Sequence, residues 1–393
     1  MSAADRLRAF KYRWLDPWLF RFAPPPRRAS KRQEERIELP APTNADVLCF
    51  PIIEWDLRFQ RPQQLMVQFG RAGHRVFYID PVFRQDGPPY VLTRKAPNVF
   101  EVSLRGPRWN VYRQLVPRTD AFDRFLRETE IRDAMAIVQF PSWQPLVETL
   151  AARPLIYDCM DSIRGFATVS RRIAALEEPL LRNADFVIAS SLLLEQEARR
   201  HASRVLLLRN ACDYDAFATV PASKNARPVI GYFGAISYWF DVELVTELAA
   251  LRRDWDFVLI GDPWGADVAR LSKLPNVTLT GEQPYATIPQ SLATFDVGII
   301  PFKRMPLTEA TNPVKAYEML AGGKPIVAVP IPEMVALQPF ARLASTAGEF
   351  AREIEAAMRE NDDDAIAKRR AFAREQTWTK RFEELTAALR VMQ

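Results

Sequence analysis

Along the chain, short apolar runs alternate with stretches whose apolar residues recur at helical spacing. DVLCF is followed by RPQQLMVQFGRAG and HRVFYID, and later by MAIVQF, PLIYD, the helix-patterned SRRIAALEEPLLRN and DFVIAS; RVLLL, Arg204 to Leu208, closes this first series. Strand, helix, strand in this rhythm predicts a parallel sheet with crossover helices. From Arg227 the rhythm restarts with PVIGYFGA, DVELVTELAALRR, DFVLIGD, NVTLTG, FDVGIIPF, a helix inside TNPVKAYEMLAGG, and KPIVAV. The pattern therefore predicts two α/β domains, 41–210 and 226–365. They are expected to face each other across a cleft, with functional residues just after the strands. In the last segment, 366–393, Phe372, Trp378, Phe382, Leu385 and Leu389 fall at helical spacing and predict a packing helix.

Composition narrows the class of protein. The chain has 393 residues, 48% hydrophobic and 26% charged, as expected of a globular two-domain protein. Cys49, Cys159 and Cys212 are odd in number and lack CxxC spacing, which argues against a disulfide framework or a zinc site. His74 and His201 are the two histidines, too few for a multi-histidine metal centre, so no metal is expected. Of the net charge of +5, the first 36 residues hold ten basic and four acidic residues, so the excess belongs to the tail. With the tail set aside, no positive excess remains to attract a nucleic-acid backbone, and nucleic acid is not an expected partner. Residues 1–40 mix arginines with Phe10, Trp14, Trp18, Leu19, Phe20 and Phe22, as in segments that lie at a lipid headgroup layer. A loose terminus, or a helix packed on the body, would show the same composition. Charges interrupt this segment before a signal-peptide core or a membrane span can form. A cytoplasmic protein is expected, peripheral on the inner face of the plasma membrane if the tail binds lipid.

TNPVKAYEMLAGGKPIVAV, Thr311 to Val329, carries an electrostatic contradiction. Thr311 or Asn312 should cap a helix with Pro313 at its first position and Gly322 and Gly323 at its end, which puts Lys315 in the first turn. A cation there opposes the helix dipole at a cost of roughly 0.3–1 kcal/mol. Asn312, Lys315 and Glu318 are spaced by threes and share a face, while Lys303 and Arg304 arrive from the preceding strand. These cations and the helix N-terminus suit a diphosphate, and Glu318, one turn further in, suits two ribose hydroxyls. An inconsequential surface pair of Lys315 and Glu318 would use the same spacing.

The run NVTLTGEQPYATIPQSLATFDVGIIPFKRMPLTEATNPVKAYEMLAGGKPIVAVPIPE resembles the donor-binding half of glycosyltransferases with the GT-B fold, two Rossmann-like domains facing across a cleft. It is similar to the teichuronic acid glycosyltransferases and, more distantly, to the xanthan glucuronosyltransferase. RPQQLMVQFGRAGHRVFYIDP, YDCMDS, EPLLRNADFVIASS, RNACDYDAF and IGYFGAISYWFD match in the same order, over most of 45–335. The resemblance implies that Glu318 holds the ribose and that Gly234 lets the backbone approach the diphosphate. Two departures stand out. The related E-x7-E signature would need a glutamate where Ala310 stands, with Glu309 one place off, and AISYWFD lacks the usual basic residue. Phosphate neutralisation then falls on Lys315 and Arg304.

In the first domain, PLIYDCMDS carries Asp158 and Asp161 out of a strand, where a carboxylate can take a proton from an attacking hydroxyl. The resemblance gives this role to Asp161; Asp158 is expected to cap the loop, and turn formation is the plainer role for both. Arg58 and Arg61 follow the first strand and are candidates for binding an acceptor, although Arg61 could simply tie the loop down. Asp213 and Asp215 show a D-x-D spacing but sit at the domain junction and read as structural; Asp362 to Asp364 read as a helix start. The sequence thus implies a metal-independent hexosyltransferase-type enzyme. It would move a sugar from a UDP- or GDP-sugar to a glycan or lipid-linked acceptor, with no cofactor. A sugar-nucleotide epimerase of the same fold and a non-catalytic polysaccharide-assembly scaffold are the rivals.

Overall fold

The computed structural model describes residues 37–391 except 222 and 224. The proposed membrane-contacting tail lies outside the described residues over 1–36. The described residues form two compact units, one comprising 37–209 together with 382–391, the other 210–381.

Among the described residues, the first unit is built on eight strands: β1 Asp46–Phe50, β2 Val76–Ile79, β3 Tyr90–Ala96, β4 Val99–Leu104, β5 Ala134–Val138, β6 Leu155–Cys159, β7 Phe186–Ala189 and β8 Val205–Leu207. Their order is β3-β4-β2-β1-β5-β6-β7-β8, with Cys49 of β1 opposite both Tyr78 of β2 and Ile137 of β5. All neighbours run parallel except β3 and β4. That hairpin was not among the strands predicted from the sequence. Its signal is the Pro97-Asn98 turn, with Asn98 at φ 59°, between the stretches YVLTRKA and VFEVSL. Strands β1, β2, β5, β6 and β7 are buried almost throughout, which is why they read as continuous apolar runs.

Among the described residues, the second unit has six strands: β9 Val229–Phe233, β10 Asp256–Ile260, β11 Val277–Gly281, β12 Val297–Ile300, β13 Ile326–Ala328 and β14 Ala341–Leu343. They are all parallel, in the order β11-β10-β9-β12-β13-β14. The connections leave β9 towards β10 on one side and return to β12 on the other. This reversal opens a crevice above the C-terminal ends of β9 and β12, where open α/β sheets bind ligands.

Two helical expectations change. SRRIAALEEPLLRN forms two short helices, Arg171–Ala174 and Glu177–Asn183, because Ser170 caps the first and Glu177 restarts the second. The last segment is also two helices, Asp363–Arg374 and Trp378–Arg390. The first is capped by Asp362, whose side chain accepts from the Ala365 N–H, so the run of aspartates is a helix start.

At the centre of β9 the sheet admits no side chain. A Cβ on Gly231 would lie 2.0 Å from Phe295 Cδ2. We expect Gly231→Ala to destabilise the second unit by roughly 1–3 kcal/mol through overpacking, measured by urea unfolding; an unchanged midpoint would show that Phe295 can retreat freely.

Candidate functional site

The loops at the C-terminal edge of the second sheet are stitched together by their backbones. Gly234 N–H donates to Ile260 O at 2.9 Å, Lys303 N–H to Trp239 O at 2.8 Å and Asp241 N–H to Pro301 O at 2.8 Å, while Phe240 and Phe302 form an antiparallel bridge. Tyr232 Oη holds the turn from below by donating to Ala235 O at 2.7 Å. Two glycines make this approach possible. Gly234 sits at φ 122° and Gly261 at φ 152°, and a Cβ on Gly261 would fall 1.9 Å from Gly234 O.

The helix Val314–Ala321 points its start at this crevice. Contrary to the sequence expectation, Pro313 occupies the N-cap position and no side chain caps the helix. Asn312, expected to bind the donor, is instead buried in an internal network. Its Oδ1 accepts from Asn210 N–H at 2.9 Å, its Nδ2 donates to Glu333 Oε2 at 2.7 Å and contacts Tyr317 Oη at 3.0 Å, and its carbonyl accepts from Asn210 Nδ2 at 2.6 Å. Its amide is used by the protein, so its contribution to the site is to fix where the helix begins.

Lys315 lies where a ligand's charge would be expected. Its ammonium sits over two ring faces, 5.3 Å from the centroid of Tyr232 and 5.0 Å from that of Phe302. A Cβ on Gly234 would be 2.9 Å from Lys315 Cε and 3.3 Å from Nζ, so the ammonium and the glycine backbone are neighbours. Each cation–π contact contributes about 0.5–1 kcal/mol or more when desolvated, comparable with the dipole penalty at this position.

Glu318 is only 4% exposed and accepts from Tyr285 Oη at 2.8 Å. Burial pushes its carboxyl up to about 7, against the opposing pull of the Tyr285 hydrogen bond and the Lys315 charge, while Asp213 pushes it up further. Arg304, expected beside the phosphates, pairs with Glu309 at 2.6 Å on the surface. That pairing also gives Glu309 a partner, and Ala310 is buried at the end of the short helix Pro306–Glu309. The structure therefore brings Gly234, Lys315 and Glu318 together and turns Arg304 toward Glu309.

In the first unit, Asp158 is fully buried on β6. Arg61 Nε donates to its Oδ1 at 2.9 Å, and Gln139 Nε2, from the end of β5, donates to its Oδ2 at 3.1 Å. A second nitrogen of Arg61 donates to Leu208 O at 2.8 Å. Arg61, expected as an acceptor-binding candidate, is buried, and its guanidinium ties the start of the helix Arg61–Arg71 to β6 and the end of β8. Asp158 likewise is an interior anchor. Arg58 stands in the loop after β1 at φ 53°, a left-handed conformation that costs a non-glycine residue roughly 1 kcal/mol.

Asp161, half-buried beyond β6, has its carboxyl raised to about 7 by burial, with Arg61 opposing and Asp158 adding to the rise. A carboxyl that changes charge near neutrality suits proton acceptance. Glu177, overlooked in the sequence, is also raised to about 7, mainly by burial, and accepts from Tyr157 Oη at 3.0 Å. Tyr285 was likewise not singled out in the sequence, and Asp213 was read there as structural. No spacing rule links either of them to Glu318, since they reach it through the fold.

The fold is of the GT-B class. Similar solved structures include sucrose-phosphate synthase from Thermosynechococcus elongatus, 15% identical with a TM-score of 0.69 over 88% of this chain and 99% of that one. A trehalose 6-phosphate synthase from Burkholderia multivorans is 14% identical with a TM-score of 0.62, over 88% and 98%. The HepE protein of Anabaena, solved with UDP and glucose, is 14% identical with a TM-score of 0.59, over 88% and 99%. Residues 227–360 match the family described as Glycosyl transferases group 1. A Bacillus subtilis (strain 168) protein named for teichuronic acid biosynthesis, the glycosyltransferase TuaH, is 28% identical over 277 residues, 63% of this chain and 69% of that one.

Two outcomes are expected here. Removing one partner of the buried pair, as in Arg61→Met or Asp158→Leu, should cost about 3–5 kcal/mol in unfolding experiments. For Glu318, the folded pKa lies above the unfolded one, so the native state holds more protons between about pH 4.3 and 7 and loses stability as pH rises through that window. Glu318→Gln should flatten this part of the Tm against pH curve; an unchanged slope would assign it to other groups.

Proposed function

We propose that this chain transfers a sugar from a UDP- or GDP-sugar to an acceptor hydroxyl, in the synthesis of a cell-surface polysaccharide or lipid-linked glycan. One observation carries the donor half: the Lys315 ammonium stands beside the Gly234 backbone at the start of an uncapped helix, with Glu318 one turn further in. Phosphate oxygens there would meet a cation and a helix N-terminus together. The ionised carboxyl of Glu318 would accept hydrogen bonds from the ribose hydroxyls. The biosynthetic setting is supported by the name of the B. subtilis relative, and a UDP-linked donor by the UDP bound in the HepE structure.

In the reaction, the acceptor oxygen bonds to the anomeric carbon of the sugar. The bond from that carbon to the β-phosphate oxygen breaks, and its electron pair leaves with the nucleoside diphosphate. Lys315 and the helix N-terminus stabilise the charge that develops on the leaving group, so that fixed protein charge does the work of a metal. If the reaction inverts the anomeric centre, Asp161 takes the hydroxyl proton; if it retains configuration, Asp161 orients the acceptor and the proton passes to the departing β-phosphate oxygen. Arg58, in its left-handed loop, is the remaining acceptor-binding candidate. The protein acts at the cytoplasmic membrane face, held there by the tail 1–36.

Calorimetric titration of UDP and GDP without metal tests the donor site. Lys315→Ala and Glu318→Ala should each weaken binding about tenfold or more, roughly 1.4 kcal/mol; a folded wild type that binds neither nucleotide removes the reading. Nucleoside-diphosphate release that depends on acceptor and persists in EDTA distinguishes transfer from epimerisation. Nucleotide affinity without turnover would instead favour the scaffold, in keeping with Ala310 at the signature position. For the tail, deletion of 1–36 should abolish binding to anionic liposomes, and unchanged sedimentation with them would exclude that role.

A further inference from the structure

Glu318 is a buried carboxyl that another element already touches. Tyr285 opens the short turn between β11 and the helix Ile288–Ala293, and its ring packs on buried Phe217 with centroids 5.9 Å apart. From there its hydroxyl reaches across to donate to Glu318 Oε1 at 2.8 Å. We propose that Tyr285 is a positioning residue of the donor site: it orients the Glu318 carboxylate so that Oε2 and the second lone pair of Oε1 meet the vicinal hydroxyls of the nucleotide ribose. This rests on the role given to Glu318 above and deepens it.

A carboxylate accepts about four hydrogen bonds, two per oxygen, so the phenol leaves room for a diol while fixing the plane of the group. Without such a bond, a buried carboxylate would have to be desolvated with only the Lys315 ammonium to offset the cost. The phenol is itself well anchored, because its ring is held by Phe217. The arrangement thus supplies both orientation and charge.

The groups facing Glu318 set its pH behaviour. Lys315 on its own helix and the Tyr285 hydrogen bond favour the ionised form, while Asp213, preceding the Tyr214–Ala218 helix packed against it, opposes ionisation. Cys212 also faces Glu318, its own thiol raised chiefly by burial and further by this carboxyl. The Asp363–Arg374 helix packs on the same element, but its arginines turn elsewhere: Arg369 to Gly323 O, Arg370 to Val220 O and Arg374 to Tyr214. Only the ionised carboxyl accepts from both ribose hydroxyls, so affinity should rise with pH as Glu318 loses its proton. Removing the phenol should move that rise to higher pH.

Tyr285→Phe keeps the ring and removes the hydroxyl. The full chain would be titrated calorimetrically from about pH 6 to 9 with UDP or GDP, whichever the wild type binds, and with its 2′-deoxy counterpart. Glu318→Gln supplies the baseline for the nucleotide's own titration. The expected result for Tyr285→Phe is a binding midpoint moved up by about half a unit to one unit, with the preference for ribose over deoxyribose reduced several-fold. Wild-type values for both, or an affinity lowered equally at every pH and for both sugars, would overturn the inference while leaving the donor site intact. A wild type that binds neither nucleotide overturns both. If Tyr285→Phe does not fold, Tyr285→Leu, which has no polar hydrogen to donate, carries the same test with the same outcomes.

Discussion

The second unit depends on how the helix Val314–Ala321 is started. A helix normally closes its exposed N–H groups with a side-chain cap, and here none is present. The start is fixed from outside instead, by Asn312 held between the Asn210 backbone and side chain, Glu333 and Tyr317. Buried polar networks of this kind specify position because every member would be costly to leave unpaired. The helix terminus is thereby set without a side-chain cap of its own.

Once the helix is placed, its electrostatics follow. Lys315 opposes the dipole, and the two ring faces of Tyr232 and Phe302 offset a cost of similar size, so the ammonium rests beside Gly234. The close packing of Gly234 against Gly261 draws the loops of β9 and β10 together at the same edge. Glu318 lies one turn away, its carboxyl raised to about 7 by burial against the pull of Tyr285 and Lys315. Cation, backbone and carboxyl therefore gather at the switch point of a parallel sheet, where open α/β sheets bind ligands.

The first unit uses the same physics for another end. Its buried ion pair, Arg61 with Asp158, is supported by Gln139 and the Leu208 carbonyl, so both charges have partners. A pair like this stabilises chiefly against its own disruption, since removing either member strands the other. Asp161, two residues beyond the strand end, escapes that anchoring and stays half-buried, with a raised pKa that leaves it able to exchange a proton.

The sequence by itself determined the two α/β units, most of their strands, and the proximity of Lys315 to Glu318, because apolar runs and helical spacing are local properties of the chain. It also placed Gly234 at a strand end, although that glycine's role came through a resemblance. The β3–β4 hairpin, β14 and the breaks in two helices went unread, where short segments and caps outweigh periodicity. Only the tertiary structure decided which charges are already committed. Asn312 and Arg61 bear the same functional groups as any ligand-binding residue, and their partners, Asn210 and Asp158, show how the fold occupies them. For the same reason Tyr285 could not be found in advance: it is 33 residues from Glu318 in sequence and 2.8 Å from it in space.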